Sequence, residues 1–256
     1  MKFKILGCGS SMGVPRADGF FGNCNPKNKR NYRSRCSAII QTQSENILLD
    51  TSPDLRSQLI KNNINKIDKV FFSHMHADQT HGINDLRVFY VNRKKTIPVY
   101  ADTETRRYLL KNFSYCFTNN GSEYPAILSM NNLKNNFLIK DGINKINIKP
   151  IKVQHGRVNC ICYIINKKLA YMSDVSKIFK KDFKYFKNLD YLIIDCLKYN
   201  KHPSHFNLDQ CLEIEKIFKP KKMILTNMHC DLDYDILRAQ LPKNIVPAYD
   251  GLKLYL

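Results

Sequence analysis

The sequence predicts an α/β fold in which two β-sheets are flanked by helices, a four-layer αββα arrangement. Two early apolar runs, 37–42 and 46–50, are separated by a short turn and so favour a hairpin. Later apolar runs alternate with segments of helical periodicity, which favours parallel strands covered by helices. No linker, repeat or low-complexity tract divides the 256 residues, so we expect one domain spanning 1–256.

The elements before the middle of the chain follow from hydrophobic periodicity. An apolar strand at 3–6 runs into a small-residue loop at 7–13, and Leu55, Leu59 and Ile60 stand at helical spacing within 54–62. A further apolar strand at 69–73 ends directly at a histidine. The predicted elements that follow are helices near 83–90 and at 103–113, with a strand at 98–101 between them.

The second half repeats the alternation of strands and helices. A polar, Asn-rich segment at 118–136 is the best candidate for a mobile insertion, because it lacks periodicity. The elements predicted after it are strands at 146–153, 160–165, 168–172 and 190–195, a helix at 207–218, a strand at 222–226, a helix at 233–240 and a terminal strand at 252–255.

The charge balance is strongly basic. Lys and Arg number 41 against 22 Asp and Glu, a formal net charge of +19. Such a field attracts anions, nucleotides and nucleic acids among them. Lys and Asn are frequent throughout the chain, so a general compositional bias explains the same numbers, and both interpretations stay open.

Cysteine usage indicates a reducing compartment. The nine cysteines are odd in number and scattered, which argues against a disulfide framework and predicts reduced thiols in the cytoplasm. The first seven residues lack the apolar core of a signal peptide. The longest apolar runs fall short of the ~20 residues that a membrane span needs, so we expect no membrane association.

The histidines are the main indication of chemistry. All seven fall in four short segments, each at the end of a predicted strand or in the loop after one; they are His74, His76 and His81, then His155, then His202 and His205, then His229. Strand ends are where folds present functional groups to solvent. This clustering predicts a metal site.

The first histidine segment supplies most of the predicted ligands. His74, His76 and Asp78 alternate along the chain, so an extended backbone would place all three on one side. Two imidazoles and a carboxylate suit a transition metal. Further ligands would come from distant strand ends, where His155, Asp174 and His229 stand. We interpret Cys160 and Cys162 as core thiols because they share a face of a predicted strand.

These motifs resemble the metallo-β-lactamase superfamily. The superfamily motif His-x-His-x-Asp-His stands here as His74-Met75-His76-Ala77-Asp78-Gln79. Asp50 after the second hairpin strand resembles the early aspartate of the superfamily, His155 its third metal histidine and Asp174 its bridging carboxylate.

One branch of the superfamily is especially similar. The opening Gly7-Cys8-Gly9-Ser10-Ser11, followed by Gly13-Val14-Pro15, is typical of phosphoribosyl cyclic phosphate phosphodiesterases and tRNA 3′-processing endonucleases. The stretch 248–252 also matches that branch, and His205 resembles its catalytic histidine.

Two positions depart from the branch pattern. Gln79 replaces the last histidine of the motif, and Asn227 stands where these phosphodiesterases place another ligand. Three outcomes remain open: Gln79 binds weakly through its amide oxygen, His81 substitutes, or the second metal is loosely held. The early loop keeps one cysteine of the branch's structural zinc site, Cys24, with Cys230 as a distant partner, so we expect that zinc to be absent.

The resemblance implies a metal-dependent hydrolase with one or two divalent ions, Zn or Mn. The first metal would be held by His74, His76 and His155; the second metal would be held by Asp78 and His229, with Gln79, and Asp174 would bridge. The implied catalytic residues are Asp78 and His205. Arg87 is a candidate substrate contact because the planar guanidinium makes two hydrogen bonds to a phosphate, and His202 is a second candidate because it neighbours His205.

The substrate would be a cyclic phosphate or another small phosphodiester. An RNA-processing nuclease is the first alternative, because the chain is basic, and a metal-poor phosphoester-binding protein is the second, because of Gln79 and Asn227. A homodimer is compatible with either.

Overall fold

Two seven-stranded sheets face each other in the computed structural model, which describes residues 1–119 and 124–256. The strands, in chain order, are β1 (Lys2–Gly7), β2 (Ser37–Gln41), β3 (Asn46–Leu49), β4 (Lys69–Phe71), β5 (Ile97–Ala101), β6 (Leu128–Asn132), β7 (Phe137–Asp141), β8 (Asn144–His155), β9 (Val158–Ile165), β10 (Leu169–Met172), β11 (Tyr191–Asp195), β12 (Lys222–Thr226), β13 (Ile245–Pro247) and β14 (Lys253–Tyr255).

Helices cover the outer faces. They are α1 (Leu55–Lys61), α2 (Ala77–Thr80), α3 (Arg87–Arg93), α4 (Thr103–Asn112), α5 (Ser114–Phe117), α6 (Leu208–Phe218) and α7 (Tyr234–Gln240), with short 3-10 turns at Lys29–Asn31, Ile83–Leu86 and Lys180–Tyr185. The predicted αββα fold is confirmed.

Strand direction decides where functional groups meet. In the first sheet, of order β14-β1-β2-β3-β4-β5-β6, the strands from β3 to β6 are parallel. In the second sheet, of order β13-β12-β11-β10-β9-β8-β7, the strands from β10 to β13 are parallel. Parallel strands end at the same edge, so the residues that follow β4, β10, β11 and β12 are brought together.

Two apolar layers hold the sandwich. Between the sheets, Phe71 packs edge-on against Tyr163 with ring centroids 5.6 Å apart, and both side chains are fully buried. A second layer, which includes Leu55 and Leu109, joins the first sheet to its helices. Because both faces of each sheet are apolar, both must be covered, and helices cover the outer faces.

The prediction of a mobile insertion at 118–136 is wrong for residues 128–132. Residues 128–132 form β6, which pairs in parallel with β5, and residues 120–123 lie outside the described ranges. The polar composition of this segment does not predict a strand. It forms one because its backbone hydrogen-bonds to β5 at the edge of the sheet, and this pairing does not depend on side-chain β-propensity. Strand β7, which alternates buried and exposed residues, follows directly and was not predicted.

Other differences are small. The helix expected near 83–90 is a 3-10 turn at Ile83–Leu86 that passes into α3 at Arg87. All nine cysteines are buried and unpaired. Among residues 1–119 and 124–256, no helix combines the length and the apolar character that a bilayer crossing requires.

Candidate active site

Three histidine rings converge at the edge of the sandwich. His74 Nε2 lies 3.0 Å from His76 Nδ1, and His155 Nε2 lies 3.2 Å from the same His76 Nδ1. We call these residues the histidine triad. His74 and His155 are buried, whereas His76 is exposed. The triad is therefore anchored in the protein and open to solvent on one side.

Local backbone contacts fix the first two histidines. The Ser73 backbone N–H donates to Asp50 Oδ1 at 2.6 Å, which holds the chain where β4 ends. His76 is extended, with φ −64° and ψ 154°, and precedes α2. Gly82 then passes so close to Ser52 that an added Cβ would lie 2.0 Å from its carbonyl oxygen. Only glycine allows this approach, which seats α2 against the end of β3.

The tautomer of His155 directs a lone pair into the triad. His155 Nδ1 lies 2.7 Å from the Ser204 carbonyl oxygen, which can only accept, so Nδ1 carries the proton and Nε2 does not. Burial lowers the pKa of His74 to about 3 and so keeps that ring neutral as well. Neutral imidazoles oriented by such outer contacts are the form that binds metals.

The triad fits a divalent metal. Zinc–nitrogen bonds of about 2.0–2.1 Å in a tetrahedron place two ligand nitrogens roughly 3.3–3.4 Å apart. The observed separations of 3.0 and 3.2 Å lie close to this value. A single His76 Nδ1 proton cannot satisfy both neighbouring nitrogens, so a cation accounts for the convergence better than hydrogen bonds do.

Asp174 borders the triad on the second sheet. It follows β10, is buried, and lies with His155 and His205 in a group whose ligand atoms are all within 4.8 Å of one another. Asp78 lies in α2, and burial, followed by the nearby charge of Asp174, raises its pKa to about 7. Asp174 therefore lies beside His155 and His205, and Asp78 is close enough to Asp174 for the charge of one to act on the other.

Gln79 and Asn227, the two residues that depart from the expected ligand pattern, lie beside these carboxylates and donate hydrogen bonds to them. Gln79 Nε2 is 3.2 Å from Asp78 Oδ2 and 3.1 Å from Asp174 Oδ2. Asn227 Nδ2 is 3.2 Å from Asp174 Oδ1 and 3.1 Å from Asp195 Oδ1. We call Asp78, Gln79, Asp174, Asp195 and Asn227 the amide cluster. In this arrangement Gln79 presents N–H groups to the site, whereas the predicted ligand role requires its oxygen.

His205 lies between the triad and the amide cluster. Its Nδ1 donates to Asp195 Oδ2 at 2.7 Å, and its ring centroid is 4.6 Å from that of His155. Burial alone would lower the pKa of His205, but the charge of Asp195 and this hydrogen bond raise it to about 9. Asp195 was not predicted as a site residue, although the carboxylate that ends the buried strand at 190–195 was its signal in the sequence.

His202 lies next to His205 at the rim of the site. Their ring centroids are 5.1 Å apart, and His202 Nδ1 is 3.1 Å from Ser204 Oγ. Burial lowers the pKa of His202, with the neighbouring His205 charge adding to the effect. His202 therefore lies at a half-buried position beside His205.

Two predicted or alternative ligands lie elsewhere. His229 groups with Cys230 and Asp231, its Nδ1 lying 3.3 Å from Asp231 Oδ2, and within the described ranges no hydrogen bond or ion pair joins it to Asp78. The backbone places it there, because its N–H donates to Leu197. His81 Nε2 is 3.0 Å from the Tyr108 hydroxyl at an exposed position, so it does not substitute for Gln79.

Arg87 also lies away from the triad. Its guanidinium stacks over the Tyr124 ring at 5.2 Å and lines an outer groove of about 710 Å³ together with Ile60 and Val88. None of the triad or amide-cluster residues lines that groove. The predicted contact between Arg87 and the substrate is not supported, because α3 carries the residue on the helical layer rather than at the strand ends.

The family comparison covers most of the chain. Residues 45–228 match the model of the Beta-lactamase superfamily domain. A crystal structure of a diphosphatase from the PhnP family is similar at 30% identity, with a TM-score of 0.87, over 100% of this chain and 97% of that one.

More distant structures share the fold. Zinc-bound PqqB from Methylobacterium extorquens is 14% identical, with a TM-score of 0.79, over 100% of both chains. Human tRNase Z, short form, is 18% identical, with a TM-score of 0.70, over 100% of this chain and 99% of that one. At these identities the likeness concerns architecture alone.

A curated sequence relative is longer. The octanoyltransferase of Porphyromonas gingivalis (strain ATCC BAA-308 / W83) is 29% identical over 257 residues, which is 99% of this chain and 51% of that protein. The chain thus spans about half the length of the curated relative that it matches.

Proposed function

Because this chain belongs to the metallo-β-lactamase superfamily, in its PhnP-like branch, and is a hydrolase by that membership, we propose that it hydrolyses a cyclic phosphate or another small phosphodiester with the aid of a divalent metal. The histidine triad carries the proposal, since three imidazole nitrogens converge without enough protons to bind one another. The diphosphatase of the PhnP family supports a phosphorus centre as the point of attack.

The proposed metal ligands are His74, His76 and His155, bordered by Asp174. When bound there, a divalent ion supplies Lewis acidity that lowers the pKa of water and stabilises negative charge on phosphoryl oxygens. Zinc and manganese both remain candidates.

His205 is the proposed general acid. Because Asp195 accepts the Nδ1 proton, the ring is held in a fixed orientation and its Nε2 edge is left for a leaving oxygen. His155 and His202 flank that edge, with ring centroids 4.6 and 5.1 Å away. Asp195 acts through His205 and is a positioning residue.

Asp78 is the proposed acceptor of the proton that water loses. It is carried on α2, two residues after His76, and the charge of the neighbouring Asp174 acts on it. The Gln79 N–H donates to Oδ2 of this carboxylate and orients it. His202 at the rim is proposed to contact the phosphate of the substrate.

The test combines turnover with metal content. Purified protein, stripped and reloaded with Zn²⁺ or Mn²⁺, is assayed against bis-p-nitrophenyl phosphate, a ribose cyclic phosphate and a nucleoside diphosphate. His76→Ala removes a proposed ligand, and His81→Ala is the matched control from the same segment. We expect turnover in the wild type and in His81→Ala only. Absence of turnover with every metal would overturn the phosphodiesterase proposal.

An RNA-processing activity is the second candidate, and the net charge of +19 is what favours it. If basic side chains neutralise several RNA phosphates, the affinity for RNA should fall steeply as the salt concentration rises. Titration with a tRNA precursor at increasing salt distinguishes the two. Tight, salt-dependent binding with cleavage at the 3′ end would replace the small-substrate proposal.

A further inference from the structure

The amide cluster occupies the region where the superfamily motif implies a second metal. Its two amides are almost fully buried, Gln79 at 0% and Asn227 at 1% exposure, and so is Asp174 at 1%. Each oxygen of Asp174 faces one amide nitrogen, Oδ2 that of Gln79 and Oδ1 that of Asn227. An N–H group therefore stands beside each oxygen of Asp174, on the side where a second cation would approach.

The orientation of both amides is set by the acids around them. Gln79 Nε2 contacts Asp78 and Asp174, and Asn227 Nδ2 contacts Asp174 and Asp195. Turning either amide over would bring its oxygen against an oxygen of Asp174, and two oxygens without a proton between them repel. Among the described residues Gln79 Oε1 is buried without a hydrogen-bond partner, so the amide contacts the acids through its N–H groups alone.

His205 does not supply the missing ligand. Its Nδ1, the atom nearest Asp174 at 3.9 Å, already donates to Asp195 Oδ2 at 2.7 Å. Asn227 Nδ2 lies 3.2 Å from the same nitrogen and fills the space between the two residues. The second position thus presents amide N–H groups between the carboxylates, and an N–H group has no lone pair with which to ligate a divalent ion.

We infer that this chain binds one divalent metal in its active site, at the histidine triad, and that the amide groups of Gln79 and Asn227 take the place of the second metal. The inference rests on the proposed function, since it concerns the same site. It assigns Gln79 and Asn227 a common role: each supplies neutral N–H donors to buried acids that would otherwise need a cation.

Metal stoichiometry tests the inference on the wild-type chain. Metal-free protein is loaded with excess Mn²⁺ and desalted, and manganese per chain is measured by plasma mass spectrometry. Manganese is the probe because it prefers oxygen ligands, such as the carboxylates of the amide cluster, to the Cys230 thiol. His229→Ala, which disrupts the separate group of His229, Cys230 and Asp231, is the control for metal bound there.

We expect one manganese per chain in the wild type and in His229→Ala. Two in both proteins would overturn the inference and leave the proposed function standing. None in either would overturn the proposed metal-dependent function itself. Electron paramagnetic resonance adds a second measurement, because spin-coupled Mn²⁺ pairs give a spectrum distinct from that of an isolated ion.

Restoring imidazole tests the role of the amides directly. The double variant Gln79→His/Asn227→His places ligands where amides stand, and we expect two manganese per chain with a spin-coupled spectrum. Gln79→Met/Asn227→Leu removes the donors without adding ligands and is expected to keep one. A folded His/His variant that still binds one ion would contradict the assigned role. If that variant does not fold, the wild-type stoichiometry still decides the inference.

Discussion

The histidine triad and the amide cluster are neighbours, yet they differ in how their polar atoms are paired. In the triad, His155 Nε2 has no proton to give, because its Nδ1 proton is held by Ser204. In the amide cluster, both oxygens of Asp174 receive an N–H group. The triad nitrogens thus lack the protons to pair with one another, whereas both oxygens of Asp174 are paired with N–H groups of the protein.

The pairing of polar atoms distinguishes a candidate metal site from a buried polar network. Both regions contain residue types that can bind metals, and both lie at the strand ends of the two sheets. What separates them is what the convergent atoms face: the triad nitrogens face one another, whereas each oxygen of Asp174 faces an N–H group.

Removing the triad should have the largest effect on activity. His76→Ala leaves two imidazoles, and we expect kcat/KM to fall at least about 10³-fold, since the charge stabilisation supplied by a metal amounts to several kcal/mol. Metal bound per chain should fall in parallel. Steady-state assays and metal analysis on the same sample measure both.

His81→Ala is the control for that prediction, because His81 contacts Tyr108 rather than the triad. Full activity and metal in His76→Ala would show that the convergence of the three rings is not a metal site.

Loss of the proposed general acid should come next. His205→Ala is expected to lower kcat about 10²-fold or more, the range that a positioned acid contributes. Metal content should be unchanged, because His205 Nδ1 is held by Asp195 rather than directed into the triad. Loss of metal together with activity would instead make His205 a ligand.

The amide cluster should affect stability as well as activity. Asp174→Ala leaves the amides of Gln79 and Asn227 buried without their shared acceptor. We expect the free energy of unfolding of the metal-free protein to fall by about 2–4 kcal/mol, since each orphaned buried donor costs roughly 1–3 kcal/mol. Urea denaturation of metal-free samples measures it.

Glu213→Ala, on an exposed turn of α6, is the control and should change the unfolding free energy little. An equally small change in Asp174→Ala would show that the donor contacts of the amide cluster contribute no stability.

Arg87 should have the smallest effect. Arg87→Ala is expected to change kcat/KM less than about twofold, within the range of surface substitutions away from a site. Its stacking over Tyr124 lies on the outer helical groove. Saturation kinetics with a ribose cyclic phosphate provide the measurement, and a large rise in KM would restore the predicted role of Arg87 in substrate binding.

The amino-acid sequence was sufficient to predict the fold class and the histidines proposed to hold the first metal. Apolar strands that end in His74, Asp174 and Asp195 can be read from local composition, because strand periodicity and terminal polar residues are local features. The resemblance to the superfamily and to its phosphodiesterase branch identified Gln79 and Asn227 as departures from the expected ligands. It could not predict which groups they contact.

The hydrogen bonds that join Gln79 and Asn227 to Asp174 depend on the tertiary structure. Gln79 and Asn227 are distant in the sequence, and they meet at Asp174 because β4, β10 and β12 end at one edge. The same geometry carries His229 to another group and Arg87 to the helical layer. Hydrogen bonding depends on which donor faces which acceptor in space, and that is fixed by strand direction and packing rather than by spacing along the chain.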